Sequence, residues 1–364
     1  MNFATNPTRP RRLPLGLLGM LVLVGAVELV LAGRRLDFTT VWADDWRTAA
    51  VSATRKASGR DILCFGDSLI KIGVLPKVIE AKTGLKAFNL ATNAGTVPST
   101  YFLLRRALEA GARPRAIVVD FFPLMQPDQP RNSTRFYPDL ATTGECLELA
   151  RVAGDADFFT TVLLGKLLPS FKCRYEIRAS IKAALAGRRA SPWPDQGWIW
   201  AAWKSEDGAQ PMPSTLNRSP ADPRFVGDVS PEGWSCDGIN AVYLERFLEL
   251  ARSRSIPVYW LMPPVSPEVQ AQRDRNHADE AYDRFARTTL DRHPEVVVLD
   301  ARHSGYDGQV FIDAIHLDRQ GATTLSNDLA GHLGSGTSRW VALPAFASQT
   351  EGVARLGEVG KRQK

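Results

Sequence analysis

The chain has 364 residues, enough for one sizeable core with an additional segment, or for two small domains. Its hydrophobic content of 44% and charged content of 23% are those of an ordinary globular protein. The net charge of +6 is spread along the chain without long runs of one sign, which argues against nucleic acid as a partner.

The N-terminal segment is far more apolar than the rest. A basic stretch at 1–12 precedes an almost unbroken apolar run at 13–32, which matches the thickness of a bilayer. Basic residues before such a run favour a cytoplasmic N-terminus, so the pattern predicts a single-pass membrane anchor with the rest periplasmic or extracellular. The alternative is a signal peptide cleaved after Val30-Leu31-Ala32, which leaves a secreted protein.

Beyond a polar, partly helical connector at 37–60, short apolar runs alternate with helical patterns. This alternation predicts an α/β fold with a parallel sheet and right-handed crossovers. The expected strands are 61–65, 85–90, 116–122, 256–262 and 296–299, and the expected helices are 69–82, 99–110, 239–253, 267–291 and 319–333.

The alternation is interrupted at about 124–236, which we interpret as a helical and irregular insertion. Its tryptophans could line a groove, but packing of the insertion onto the core is the simpler interpretation. Residues 335–364 contain few large apolar side chains and are predicted to form a mobile tail.

Cysteine and histidine usage predicts neither a metal nor another cofactor. Cys64 lies within the first predicted strand as a small apolar residue. Cys146, Cys173 and Cys236 lie mid-chain, and any two could pair in an exported domain. Their spacing differs from that of a metal site, and the five histidines add no ligand cluster.

The first predicted strand runs directly into Gly66-Asp67-Ser68, which places Ser68 where a parallel strand turns into a helix. A serine there lies at the carboxyl edge of the sheet, where open α/β folds keep their sites. Near the other end of the chain, Asp313-x-x-His316 supplies an acid and a base three residues apart.

These residues predict nucleophilic catalysis. A serine hydroxyl is a poor nucleophile until a base takes its proton, and the base needs a third group that fixes its tautomer. Asp313 and His316 suit these tasks if Nδ1 of His316 faces the carboxylate and Nε2 faces Ser68. An oxyanion needs two or more donors, and we expect the backbone N–H groups of Ser68 and Gly95 to supply them.

At these motifs the chain resembles the SGNH, or GDSL-type, hydrolase superfamily. The resemblance rests on Gly66-Asp67-Ser68, on the turn at Gly95 and on Asp313-x-x-His316. It implies a flavodoxin-like three-layer α/β/α sandwich over 61–334, excluding the insertion. It also implies that Ser68 is the nucleophile, that Gly95 is an oxyanion donor, and that Asp313 and His316 complete the triad.

The sequence departs from that family after the third strand. The family has Gly-x-Asn-Asp there, and its Asn completes the oxyanion hole, whereas this chain has Asp120-Phe121-Phe122-Pro123. The third donor is missing or comes from elsewhere, with Asn93 as a candidate. Loss of one such donor commonly lowers turnover by a factor of about 10²–10³.

The departure, the apolar N-terminus and the insertion together resemble membrane-tethered SGNH-like proteins of cell-envelope assembly, the DltD-like and alginate-acetylation groups. That likeness implies an esterase or O-acyltransferase acting on acylated glycans, with a membrane acyltransferase as its partner. Asp67 and Asp120 are candidates for substrate contact, although Asp120 is equally well explained as a turn residue.

Two competing functions stay open. One is a catalytically inactive scaffold or glycan-binding protein, which the missing Asn favours. The other is a nucleotide-binding protein, which is less well supported because the chain has neither a Gly-x-Gly-x-x-Gly motif nor a Walker loop.

Overall fold

The computed structural model describes residues 15–34, 41–123, 134–188, 197–214, 234–236, 238–334 and 340–342. The chain forms two compact units, Met1–Thr40 with Leu164–Pro192, and Val41–Leu163 with Trp193–Lys364. The predicted cytoplasmic segment at 1–12 lies outside the described residues, as does 343–364 of the predicted tail.

The described helices are numbered in chain order. They are α1 Leu15–Arg34, α2 Val41–Arg55, α3 Ser68–Gly73, α4 Pro76–Thr83, α5 Val97–Glu109, α6 Tyr137–Leu140, α7 Thr143–Ala153, α8 Ala156–Leu167, α9 Pro169–Lys172, α10 Arg174–Leu185, α11 Gly197–Ser205, α12 Gly238–Ser253, α13 Pro267–Arg275, α14 Ala278–Arg292 and α15 Arg319–Leu333. The strands are β1 Ile62–Phe65, β2 Ala87–Asn89, β3 Ala116–Val119, β4 Val258–Met262, β5 Val296–Asp300 and β6 Val341–Ala342.

In the first unit, α1 packs against the short helix α9. The Glu28 carboxylate accepts hydrogen bonds from the backbone N–H of Ser170, at 3.0 Å, and from its hydroxyl. Among the described residues, no helix combines the length and the apolar character needed to cross a membrane. The anchor predicted at 13–32 is therefore not found in the part of the chain that the structure describes.

The second unit contains a sheet in the order β2-β1-β3-β4-β5-β6. The first five of these strands in chain order are mutually parallel, and β6 is antiparallel to β5. The predicted α/β fold with a parallel sheet is thus confirmed. The strand order reverses beside β1, and ligand sites of open α/β sheets lie at such a switch point.

Both faces of the sheet are covered, because alternate side chains of β1 enter different apolar clusters. Leu63 and Phe65 join the cluster that contains α2, α5 and α12. Ile62 and Cys64 join the cluster that contains α4 and α15. A sheet buried on both sides by helices is consistent with a three-layer sandwich.

Two helices predicted as continuous are each divided in two. The pattern at 69–82 forms α3 and α4, because Pro76 disfavours helical geometry in Leu75, the residue before it. The pattern at 267–291 forms α13 and α14, which meet at His277, whose φ of 53° is left-handed. The first division matters for the site because α3 becomes a short helix that begins at Ser68.

The connector, the insertion and the tail are more integrated than the sequence suggests. The connector contributes α2, whose Trp46 is fully buried in the main core. In the insertion, the carbonyl of Asp207 accepts the N–H of Asn89 at 2.9 Å, so this segment lies along the edge of β2. In the predicted tail, Trp340 is buried and β6 extends the sheet beside β5.

The insertion tryptophans follow the packing interpretation only in part. Trp203 is buried with Val41 and Ile199, whereas Trp198 and Trp200 are partly exposed. The described residues include all four cysteines, and no disulfide bond joins them. Burial raises the pKa of the Cys64 thiol to about 12, which fits an inert core residue.

Candidate active site

The first half of the site is the turn that joins β1 to α3. Gly66 has a φ of +133°, which an L side chain rarely adopts. Asp67 then caps the helix, since its carboxylate accepts the N–H of Leu69 at 2.7 Å. Ser68 is the first residue of α3, so its own N–H has no partner within the helix.

The second half is the loop before α15. Oδ1 of Asp313 accepts the backbone N–H groups of Ile315, at 2.9 Å, and His316, at 2.8 Å. A short aspartate side chain commonly folds its own loop in this way. Oδ2 of Asp313 is thereby left to receive Nδ1 of His316 at 2.7 Å. The loop then enters α15, which Asp318 caps as expected.

The structure brings these halves together, since Nε2 of His316 lies 2.8 Å from Oγ of Ser68. A proton on Nδ1 donated to Asp313 leaves Nε2 as the acceptor for the serine hydroxyl. Burial alone would raise the pKa of Asp313. The hydrogen bond and charge of His316 outweigh burial, so that pKa lies below its ordinary value and the carboxylate is ionised at neutral pH.

The expected oxyanion donors other than Ser68 are engaged elsewhere. The N–H of Gly95 donates to the carbonyl of Thr92 at 3.0 Å, which closes a tight turn. The side-chain amide of Asn93 donates to Asp45 at 2.9 Å and to Gln210 at 3.1 Å. Asn93 is therefore a structural residue of a buried network, which corrects the role expected for its side chain.

Gly95 nevertheless lies against the Gly66–Ser68 turn between β1 and α3. A Cβ at position 95 would lie 2.5 Å from the carbonyl oxygen of Gly66 and 2.8 Å from the hydroxyl of Thr92. The N–H of Thr92 also donates to the carbonyl of Gly66 at 3.1 Å. The glycine at 95 thus allows the two turns to pack closely.

Asp67 and Asp120 are both buried, which does not fit the substrate contact expected for them. Asp67 is occupied as the cap of α3. Asp120 is fully buried under the turn, where its Oδ1 accepts the N–H of Asp67 at 3.0 Å. A Cβ at Gly66 would lie 1.6 Å from that same oxygen, so the carboxyl group of Asp120 fills the space left by the glycine.

Sequence reasoning missed a buried ion pair one helical turn from Ser68. Nζ of Lys71 lies 2.7 Å from Asp45, and the two side chains are 3% and 0% exposed. Lys71 also lies over the ring of Trp203, 5.1 Å from its centroid. Lys71 stands out in the sequence as a charged residue among the apolar residues of α3. Nothing in the sequence, however, indicated that Asp45 on α2 is its partner.

An apolar cluster, also missed, joins the two halves. Phe122, three residues after the end of β3, packs with Leu69 and Ile315, the neighbours of Ser68 and His316. Val265, Val269 and Ala314 complete this cluster. The segment after β3 therefore contributes apolar packing to the site and no polar side chain at position 122.

Within the described residues, no three or more His, Cys, Asp or Glu side chains are grouped so that they could hold a metal ion. No protein-family model matches the chain, and no protein of curated function matches it in sequence. The geometry of the site is therefore the basis on which a function can be proposed.

Proposed function

We propose that this protein is an SGNH-like serine esterase or O-acyltransferase that forms an acyl-enzyme on Ser68. The observation that supports it most directly is the pair of hydrogen bonds from Ser68 to His316, at 2.8 Å, and from His316 to Asp313, at 2.7 Å. The strand order β2-β1-β3-β4-β5 supports a flavodoxin-like sandwich as the finer description of the fold.

In the proposed reaction, Oγ of Ser68 attacks the carbonyl carbon of an ester while its proton passes to Nε2 of His316. Asp313 holds the imidazole and stabilises its positive charge. His316 then returns the proton to the departing alcohol, which leaves the acyl group on Ser68. In the second half, water or a sugar hydroxyl attacks that acyl group and gives its proton to His316. The bond between the acyl carbon and Oγ of Ser68 then breaks, and His316 returns the proton to Oγ.

The substrate class is the least constrained part of the proposal. Acylated glycans of the cell envelope are proposed from the resemblance to the envelope acyl-transfer groups. An extracytoplasmic location and a membrane acyltransferase partner rest on the same resemblance and on the N-terminal sequence, and both stay predictions.

A second candidate is an inactive scaffold or glycan-binding protein with this fold. Two of the three expected oxyanion donors are used elsewhere, because the N–H of Gly95 donates to Thr92 and the amide of Asn93 donates to Asp45 and Gln210. These bonds leave the N–H of Ser68 as the remaining expected donor, which favours the inactive protein. Loss of a single oxyanion donor commonly lowers turnover by a factor of about 10²–10³. The two candidates therefore differ in whether Ser68 is chemically activated.

Labelling of the full-length protein with a fluorophosphonate separates them, because the probe reacts covalently with an activated serine. We expect stoichiometric labelling that is lost in Ser68→Ala and in His316→Ala. Ser253→Ala and His277→Ala, which change an exposed serine and an exposed histidine, serve as matched controls and should label like the wild type. Absence of labelling in a folded wild-type protein would favour the scaffold.

A further inference from the structure

Residues 206–212 of the insertion, called the bridging segment, form backbone hydrogen bonds with both halves of the site. The N–H of Gln210 donates to the carbonyl of Lys71 at 2.8 Å, and the carbonyl of Met212 accepts the N–H of Arg319 at 2.8 Å. Lys71 and Arg319 each follow a member of the candidate triad by three residues, the first on α3 and the second at the start of α15. The bridging segment therefore joins the helix that carries the serine to the helix that follows the histidine.

The contact with α15 combines backbone pairing with an ion pair. The hydrogen bond from Arg319 belongs to a parallel β-bridge between Met212 and Asp318, the cap of α15. The carboxylate of Glu206 also lies 3.1 Å from the guanidinium group of Arg319. Two kinds of contact thus connect the bridging segment to the start of α15.

Gln210 anchors the bridging segment through its side chain, which is 5% exposed. Its Oε1 accepts the side-chain amide of Asn93 and the indole N–H of Trp203, both at 3.1 Å. An amide oxygen has two lone pairs, so these two bonds occupy both. Because they hold the side chain, the backbone of Gln210 is also held where its N–H meets the carbonyl of Lys71.

We propose that the bridging segment fixes α3 relative to the loop of His316, so that Oγ of Ser68 stays within hydrogen-bond distance of Nε2 of His316. Gln210 acts through the backbone of Lys71 and is the positioning residue of the segment. The effect on the reactivity of Ser68 rests on the proposed function, whereas the link between the two halves does not.

A second link matters because α3 has only six residues. The two helices also meet directly where α3 ends, since the carbonyl of Gly73 accepts the hydroxyl of Ser326 at 3.2 Å. One link lets two helices turn about it, whereas two links at separate points fix their relative orientation. A misplacement of about 1 Å can lower a rate by about 10²-fold, so displacement of the bridging segment should slow the chemistry of Ser68.

Gly208→Ala displaces the bridging segment without changing any residue of the candidate triad. Gly208 has a φ of +91°, and a Cβ there would lie 2.2 Å from the carbonyl oxygen of Asn89 on β2. Gly111→Ala is the matched control, because Gly111 has a φ of +94° with nothing within 4 Å of its added Cβ. Both variants carry a similar backbone strain, and only Gly208→Ala must move the segment away from its neighbour.

The first test is amide hydrogen exchange of the full-length protein, which does not require activity. We expect the amides of Gln210 and Arg319 to be protected in the wild type and to exchange at least about tenfold faster in Gly208→Ala. Gly111→Ala should leave both rates unchanged. Wild-type exchange at the rate of an unfolded peptide, or unchanged exchange in Gly208→Ala, would overturn the link.

The second test measures the rate of fluorophosphonate labelling against probe concentration, at a temperature where circular dichroism shows each variant to be folded. We expect the maximal rate in Gly208→Ala to fall by about 10-fold to 10²-fold, with little change in the half-saturating concentration of the probe. Gly111→Ala should label like the wild type. A segment that only stabilises the fold would leave the maximal rate of the folded molecules unchanged.

Gln210→Met is a second variant that makes a smaller change and serves if Gly208→Ala does not fold. It keeps the length of the side chain but removes the acceptor of Asn93 and Trp203, so we expect a smaller fall in the same maximal rate. Wild-type maximal rates in the folded variants would overturn the positioning role. Failure of the wild type itself to label would overturn the proposed function, while the exchange data would still decide whether the segment links the two halves.

Discussion

Asp45 and Asp120 are both fully buried next to α3, but their partners have opposite character. Asp45 meets the ammonium group of Lys71 and two donors of Asn93. Asp120 accepts the backbone N–H of Asp67 at 3.0 Å through Oδ1, and its Oδ2 has no hydrogen-bond partner among the described residues. The same unfavourable burial of a carboxyl group is thus offset by a cation in one place and by a single backbone hydrogen bond in the other. The first arrangement joins α2 to Gln210 of the insertion, and the second lies against the turn that carries Ser68.

The largest expected effect comes from removal of the cation. Lys71→Met keeps the apolar length of the side chain but leaves Asp45 buried without its partner. We expect a loss of about 3–5 kcal/mol in the free energy of unfolding, measured with urea. The double variant Lys71→Met/Asp45→Asn is the control and should recover part of that loss. Equal losses in the single and double variants would show that the charge of Asp45 is not the cause.

Gly66→Ala tests the space that Asp120 occupies. The added methyl group would collide with the carboxyl oxygen of Asp120 and would sit on backbone of positive φ. We expect a loss of about 2–5 kcal/mol of stability and a fall in Ser68 labelling.

Gly84→Ala is the matched control, since Gly84 has a φ of +73° with nothing within 4 Å of its added Cβ. Its expected loss is about 1–2 kcal/mol, from the backbone conformation alone. A similar loss of stability in both alanine variants would mean that the carboxyl group of Asp120 can move aside with little change in the free energy of unfolding.

Asn93→Ala tests the surroundings of Asp45 with a smaller change than the loss of Lys71. It removes the side-chain donor at 2.9 Å from Asp45 but keeps the backbone donor at 2.7 Å. We expect a loss of about 1–3 kcal/mol by urea unfolding, because a hydrogen bond to a buried charged group is lost. Labelling of Ser68 should persist, since the amide of Asn93 is engaged away from the site. Complete loss of labelling would return Asn93 to the role of oxyanion donor.

The smallest expected effect comes from a change at Asp67, whose backbone N–H donates to Asp120. Asp67→Asn preserves a good helix cap, so the change in unfolding free energy at neutral pH should stay below about 0.5 kcal/mol. Removal of the neighbouring negative charge should lower the pKa of Asp120, because that charge helps to raise it. Stability measured against pH should then level off at a lower pH than in the wild type. An unchanged profile would indicate that burial alone controls Asp120.

The residues of the triad were predictable because each half of the site is local in sequence. An apolar strand that ends in Gly66-Asp67-Ser68 and a loop with Asp313-x-x-His316 both carry signals within a few residues. The buried network was not predictable, because it joins Asn93 to Asp45 across 48 residues and to Gln210 across 117. The composition of α2 predicted a polar connector, because the sequence does not show that Lys71 on α3 pairs with Asp45.

The sheet was predicted from its alternating pattern, but the coverage of its edges was not. At one edge Asp207 binds the backbone of Asn89, and at the other β6 pairs with β5. An uncovered strand offers a row of N–H and C=O groups that a strand of another molecule can join. A shortened chain that ends before Trp340 should therefore self-associate on storage into oligomers whose size increases with time, even though Ser68, Asp313 and His316 are all retained.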